Sequence, residues 1–169
     1  MIKFLVIISL ILIPAGSCSD MDRASEIEEA NKIKVINFVA TVWNEKELLQ
    51  VELYYADPFT RMVNDIEVTS DKKELLANIQ VYFSGFPDLE FSIDKIFPYQ
   101  NKVFLNWTMT GTNTGMFGEF PPTGKKVKVS GITHIDFDEK GNFIYEEVFF
   151  NELSLLQQLG YSLTPPAFE

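Results

Sequence analysis

From Leu89 onward the chain keeps a two-residue period through four successive runs, "LEFSIDKIF", "NKVFLNWTMTGT", "KKVKVSGITHIDF" and "NFIYEEVFF". Alternate side chains of a strand point to opposite faces, so these runs commit the second half of the chain to a sheet with one apolar face. The turn "DEKGN" joins the last pair. In the third run Val127, Val129, Gly131, Thr133, Ile135 and Phe137 share a face, while Lys126, Lys128, Ser130, His134 and Asp136 share the other. In the second run Val103, Leu105, Trp107, Met109 and Gly111 form a stripe that ends on a polar residue, Asn113.

Before the sheet the spacing is helical. Ile27, Ile33, Ile36, Val39 and Trp43 suit one face of a helix, with Glu26, Glu28 and Glu29 near its positive end. A short second helix is predicted from Lys46 to Tyr55, stopped by Asp57-Pro58. Ser70 or Asp71 caps a third, with Glu74 three residues after Asp71 and Leu75, Leu76, Ile79, Tyr82 and Phe83 on its buried side. "ELSLLQQLG" reads as a closing helix. Helices followed by strands imply an α+β domain, here a cone-shaped barrel in which a curved antiparallel sheet wraps around about three helices and leaves a mouth. With 46% hydrophobic residues and fifteen Phe, the chain can furnish a large apolar interior or an apolar cavity.

The first eighteen residues have a different logic. Lys3, an apolar run from Phe4 to Ile13, a break at Pro14 and then small residues are the parts of a secretory signal. Ala15, Gly16 and Ser17 lead into Cys18, the chain's one cysteine, as in a bacterial lipobox. The expectation is a protein of the bacterial cell envelope, lipid-anchored through Cys18 on its periplasmic or extracellular face. The alternative is an ordinary signal cleaved near Ser17, which leaves a free thiol. The expected organisation is a signal with its lipidation cysteine at 1–18, a tether at 19–23, one folded domain at 24–163 and a tail at 164–169. Twenty-four acidic against fourteen basic side chains give a formal charge of -10, so nucleic acid is not an expected partner.

Three motifs come close to known chemistry and stop short. Gly118 to Gly124 has five intervening residues where a phosphate loop has four, Lys126 stands where the loop hydroxyl would be, and a strand pattern follows instead of a helix. Asp136 to Glu147 has calcium-loop spacing, but Lys140 occupies a ligand position and the flanks alternate as strands, so an acidic hairpin turn is the better account. One histidine, His134, on the polar strand face, with one cysteine, is too small a set for zinc or a hydrolase triad. No metal and no cofactor are expected.

"FPDLEFSI", "GTNTGMFGEFPPTGKKVKVSGI" and "NELSLLQQLG", with "VWNEKELL" after the first helix, together resemble the SnoaL-like polyketide cyclase (ester cyclase) family of the nuclear transport factor 2-like superfamily, over about Ala24 to Gly160. The resemblance implies a curved sheet cupped around helices, an apolar pocket, and an acidic residue that serves as acid and base in an aldol closure of a polycyclic ester. It also marks departures. Asn113 stands where the family has a histidine, Val148 where the catalytic acid falls, and Arg61 and Met62 where another histidine is expected. Glu146, which shares a strand face with Val148 and Phe150, is the candidate acid/base, and Glu147 is its rival because the inward face is uncertain by one residue. Asn113, Trp107, Arg61, Tyr54, Tyr55 and Thr133 are the candidate ligand contacts, with simple core packing the competing role for the aromatic ones. The expected ligand is a small apolar or polycyclic molecule, and a second copy of the chain is an expected partner through the outer sheet face at Ile132.

Overall fold

A computed structural model describes residues 16–165, with side chains from residue 21. Residues 1–15 of the expected 1–18 signal, the tail residues 166–169 and the Cys18 side chain lie outside the described residues. In chain order the elements are α1 (Gly16–Phe38), a π-helical turn (Val39–Asn44), a 3-10 turn (Leu48–Leu53), β1 (Tyr55–Val63), β2 (Ile66–Thr69), α2 (Lys72–Gly85), β3 (Glu90–Tyr99), β4 (Lys102–Thr112), β5 (Lys126–Phe137), β6 (Phe143–Phe150) and α3 (Glu152–Leu159).

The four alternating runs are β3 to β6, and their inward faces are the predicted ones: Val103, Leu105, Trp107 and Met109 on β4 and Val127, Val129, Ile135 and Phe137 on β5 are all buried. The six strands lie in the order β2-β1-β6-β5-β4-β3. All neighbours are antiparallel except β1 and β6, which run parallel. The sheet is therefore mixed and two strands larger than the alternation shows. Register shifts in β1 and β3 and at the end of β5 bend it into the open cone that holds the helices.

The segment expected as a short helix ending at Tyr55 is a 3-10 turn, and β1 starts where that helix was to stop. Pro58 removes a ladder donor, and the pairing of β1 with β6 skips between Tyr55 and Thr60, where Pro58 lies. The turn from β1 to β2 is made by Asn64 and Asp65, both with positive φ. This is a two-residue hairpin signal between apolar residues, and it is the sequence cue that marks both missing strands.

α1 starts at Gly16, so the stretch 19–23 read as a tether is helical. Its buried face also differs from the predicted one. Val35, Phe38 and Val42 are buried, whereas Ile27, Ile33 and Ile36 are exposed. Two stripes of similar spacing compete on this helix, and the aromatic one wins: the Phe38 ring meets Tyr54, Tyr55 and Phe143 edge-on at 5.2 to 5.7 Å. Such aromatic contacts add roughly 0.5 to 1.5 kcal/mol each beyond area burial. The π-helical turn then carries both Val39 and Trp43 to the interior.

α2 has the predicted cap. Asp71 accepts from the amides of Lys73 and Glu74, while Glu74 turns to the Thr69 hydroxyl at 3.0 Å instead of closing the box onto the Asp71 amide. Its inward residues Leu75, Ile79 and Phe83 are buried as expected. Gly160, with φ of 102°, ends α3 in the left-handed conformation that glycine adopts without strain.

Candidate functional site

β1 and β6 are the strands that build the site, because their parallel register sets Arg61 beside Glu146 and Val63 beside Val148. Alternation turns Glu146 inward with Val148, so both charged side chains enter the apolar face of the sheet. Arg61 is 8% exposed and Glu146 4%. The Nε of Arg61 donates to Glu146 Oε2 at 2.8 Å, and the Tyr55 hydroxyl donates to the same oxygen at 2.5 Å. Glu146 Oε1 receives no hydrogen bond from the described residues. An isolated buried charge is very costly, and a paired one persists only with good geometry, so this triad is what makes a carboxylate tolerable here.

The triad borders a cavity between the helices and the sheet. Val35, Phe38 and Val39 of α1 form one wall, Leu105, Trp107 and Met109 of β4 form another, and Thr133, Arg61 and Glu146 are the polar groups among the lining. The centre of a water molecule can move through about 70 Å³ of it. That is less than half of the roughly 150 Å³ in which a buried apolar cavity takes up benzene, so a ring-sized ligand needs lining side chains to move. Trp107 reaches its place because Gly131 lies across from it on β5: a Cβ there would stand 2.2 Å from the indole. The indole N–H donates to the Thr133 hydroxyl at 2.9 Å, which leaves that hydroxyl its own proton to donate.

The candidate residues separate cleanly. Arg61, Trp107, Thr133 and Glu146 line the cavity. Tyr55 is buried behind Glu146 and holds it. Glu147 is corrected to the outer sheet face, where its carboxylate lies 3.4 Å from Nδ1 of His134, because a one-residue step reverses the face of a strand. Tyr54 is corrected to a packing role: its ring meets Phe38 and its hydroxyl pairs with Thr41 at 3.0 Å.

Asn113 is corrected as well. It is buried, but its amide donates to the carbonyls of Gly85 and Gly115, and its oxygen accepts from the amide and hydroxyl of Thr123. All four of its hydrogen-bonding positions are used in pinning the loop 113–125, and none remains for a ligand. That loop sets Phe117 against Tyr82 and Phe86 at the end of α2, so one aromatic side chain of the loop covers those rings while Pro121 and Pro122 are exposed. Tyr82 and Phe91, half-buried cavity residues absent from the candidate set, sit on predicted elements with apolar neighbours, but nothing in their spacing separates cavity from core. Among the described residues no group of three His, Cys, Asp or Glu side chains converges to hold a metal ion.

A family model described as SnoaL-like polyketide cyclase matches residues 33–159. Similar solved structures include AclR, a proposed hydroxylase from Streptomyces galilaeus, at 25% identity over 79% of this chain and 97% of that one, with a TM-score of 0.71. A proposed polyketide cyclase from Acidithiobacillus ferrooxidans is 26% identical over 76% of this chain and 93% of its own, with a TM-score of 0.66. A proposed SnoaL-like polyketide cyclase from Jannaschia sp. is 22% identical over 83% and 96%, with a TM-score of 0.73, a likeness of fold. No curated protein sequence matches the chain.

Burial and the neighbouring Glu146 carboxylate hold the Tyr55 phenol well above its ordinary pKa. Burial raises that of Tyr82 too, against the opposing pull of Arg61. The unfolded chain therefore loses these protons first as pH rises, so the stability they contribute is complete below about pH 10 and falls as pH climbs from there toward the folded-state values. Thermal unfolding measured between pH 8 and pH 11.5 should show this alkaline decline, and Tyr55→Phe should flatten it. An equal decline in both proteins would show that Tyr55 does not carry it.

Proposed function

The chain belongs to the SnoaL-like polyketide cyclase family, and from that membership and the cavity we propose that it binds a small, largely apolar molecule next to Glu146 and exchanges a proton with it. The observation that carries this reading is the asymmetry of the Glu146 carboxylate. One oxygen is fixed by Tyr55 and Arg61, and the other, without a partner among the described residues, belongs to a side chain that lines the cavity. A carboxylate oriented in this way can take a proton from a carbon next to a carbonyl and return it elsewhere on the same molecule, the common core of cyclase, lyase and isomerase chemistry. The Thr133 hydroxyl, held by Trp107, is a donor for the oxygen that gains negative charge. The apolar walls exclude water and strengthen both effects.

At about 70 Å³ the cavity admits even a single ring only if lining side chains such as Tyr82 and Phe91 move, and a polycyclic ligand needs more. Glu146 takes the acid/base role from a neighbouring position, since Val148, where the family has its catalytic acid, lines the same cavity but cannot titrate. We propose further that the chain is exported and anchored by lipid at Cys18 in the bacterial envelope, on the strength of the first eighteen residues. A second reading, a non-catalytic module that pairs with its own copy, is favoured by Phe104, Ile132 and Phe149. They are exposed on the outer face of the adjacent strands β4, β5 and β6.

Native mass spectrometry of the purified protein should detect a retained small molecule. Deuterium exchange into that molecule, followed by NMR in heavy water, should be faster with protein and fall by roughly a hundredfold or more in Glu146→Gln. Unfolding is measured alongside, because the variant leaves the Arg61 cation without its counterion. Exchange that survives in a folded Glu146→Gln protein would remove the acid/base role. For the anchor, Cys18→Ser should move the protein from the membrane fraction to the soluble fraction; an unchanged distribution would exclude lipid attachment there. Sedimentation at micromolar concentration tests the self-pairing reading, and a monomer would exclude it.

A further inference from the structure

Arg61 spends only part of its hydrogen-bonding capacity on Glu146. Its Nε is the donor to Oε2, and neither terminal Nη group has an acceptor among the described residues. The one side-chain nitrogen or oxygen that is both fully enclosed and unpaired among those residues is Asp136 Oδ1, which has His134 Nε2 at 3.2 Å. The Nη groups of Arg61 are therefore not sealed against neighbouring atoms, and Arg61 lines the cavity. A guanidinium that is nine-tenths buried and leaves its outer edge unpaired in an apolar chamber is a receptor in search of an acceptor. Its planar pair of N–H groups matches a carboxylate with two parallel hydrogen bonds.

We propose that the ligand of this cavity is a small aromatic or aliphatic carboxylate, gripped by the Nη edge of Arg61 and bound together with one proton that goes to Glu146. The claim deepens the ligand-binding reading above and rests on it. The proton follows from charge. Arg61 carries +1 and Glu146 -1, so the empty site is neutral, and a monoanion alone would leave an uncompensated negative charge among apolar walls. One proton taken up on Glu146 Oε1 restores neutrality and converts Glu146 into the donor that faces the ligand, so its proton exchange with the ligand begins from the acid form, Oε1 giving its proton first and taking one back afterwards. The groups that face Glu146 from each element are few. Arg61 and Tyr55 of β1 bond to Glu146, Tyr82 of α2 acts on Arg61 across the cavity, and Glu152 of α3 acts on Tyr82. The cavity residues of α1, β4 and β5, namely Val35, Phe38, Leu105, Trp107, Thr133 and Ile135, do not titrate. Burial holds both tyrosine phenols above their ordinary pKa, so neither exchanges its proton near neutrality.

The probes are benzoate, its neutral isostere benzamide, and indole as an apolar control, each titrated calorimetrically into the purified full chain. Benzoate should bind about tenfold or more tightly than benzamide at pH 6. Its heat should vary with buffer ionisation enthalpy as expected for uptake of one proton, and its affinity should fall as pH rises toward 8. Arg61→Lys keeps the charge but loses the fork, and should erase most of the preference while indole binding persists. Should Arg61→Met fail to fold because Glu146 is left unpaired, Arg61→Lys and the wild-type comparison still decide. Benzamide binding as well as benzoate, with indole also bound, would overturn the carboxylate claim and leave the cavity reading standing. Benzoate preferred with no proton taken up would overturn the role given to Glu146. If none of the three probes binds, the cavity reading fails and this proposal falls with it.

Discussion

A single buried ion pair sets the terms for the interior of this protein. Arg61 and Glu146 sit on adjacent strands in an otherwise apolar wall, and each offsets the cost of burying the other's charge. Truncating one member of such a pair typically costs about 3 to 5 kcal/mol, because the survivor is left desolvated and unpaired. The pair in turn requires that β1 lie parallel to β6 with Arg61 in register with Glu146, and that Tyr55, at the start of the same β1 strand, reach the same carboxylate oxygen. What stabilises the charges also leaves them unsaturated: Oε1 of Glu146 and the Nη edge of Arg61 both lack acceptors or donors among the described residues.

The rest of the structure shields that pair. Trp107 fits against the β-strand glycine Gly131, and its ring meets Phe91 at 5.1 Å, which in turn meets Trp43 at 4.7 Å. This row of rings excludes water from one side of the cavity, and the loop pinned by Asn113 brings Phe117 over Tyr82 on another. A residue that looks like a substitute for a catalytic histidine thus serves the scaffold. The charged groups of the cavity come instead from β1 and β6, and its Thr133 hydroxyl from β5.

Much of this was readable before any coordinates. Strict alternation placed Trp107, Thr133 and Ile135 inward, Ser70 or Asp71 announced the start of α2, and "ELSLLQQLG" announced α3. Alternation alone could not choose between Glu146 and Glu147, since the two differ only by which face of β6 meets the helices. α1 was misread for a related reason: Ile33 and Ile36 are as apolar as Val35 and Phe38, and local spacing has no term for the ring contacts that favour Phe38. Strands β1 and β2 were hidden by Pro58, a residue that argues against a strand unless a register shift absorbs it, although Asn64 and Asp65 carried a hairpin signal.

The amino-acid order by itself determined the class of fold, the inward stripe of the sheet and the presence of a carboxylate at the boundary of that stripe, because these depend on side-chain period and on local hydrogen bonding. Only the tertiary structure decided that Arg61 would face Glu146 across 85 residues of chain, that Asn113 would be consumed by its own loop, and that a small cavity would remain at the charged pair. Those outcomes depend on which distant strands pair and in which register, a choice made by the packing of the whole molecule, and no window of neighbouring residues contains it.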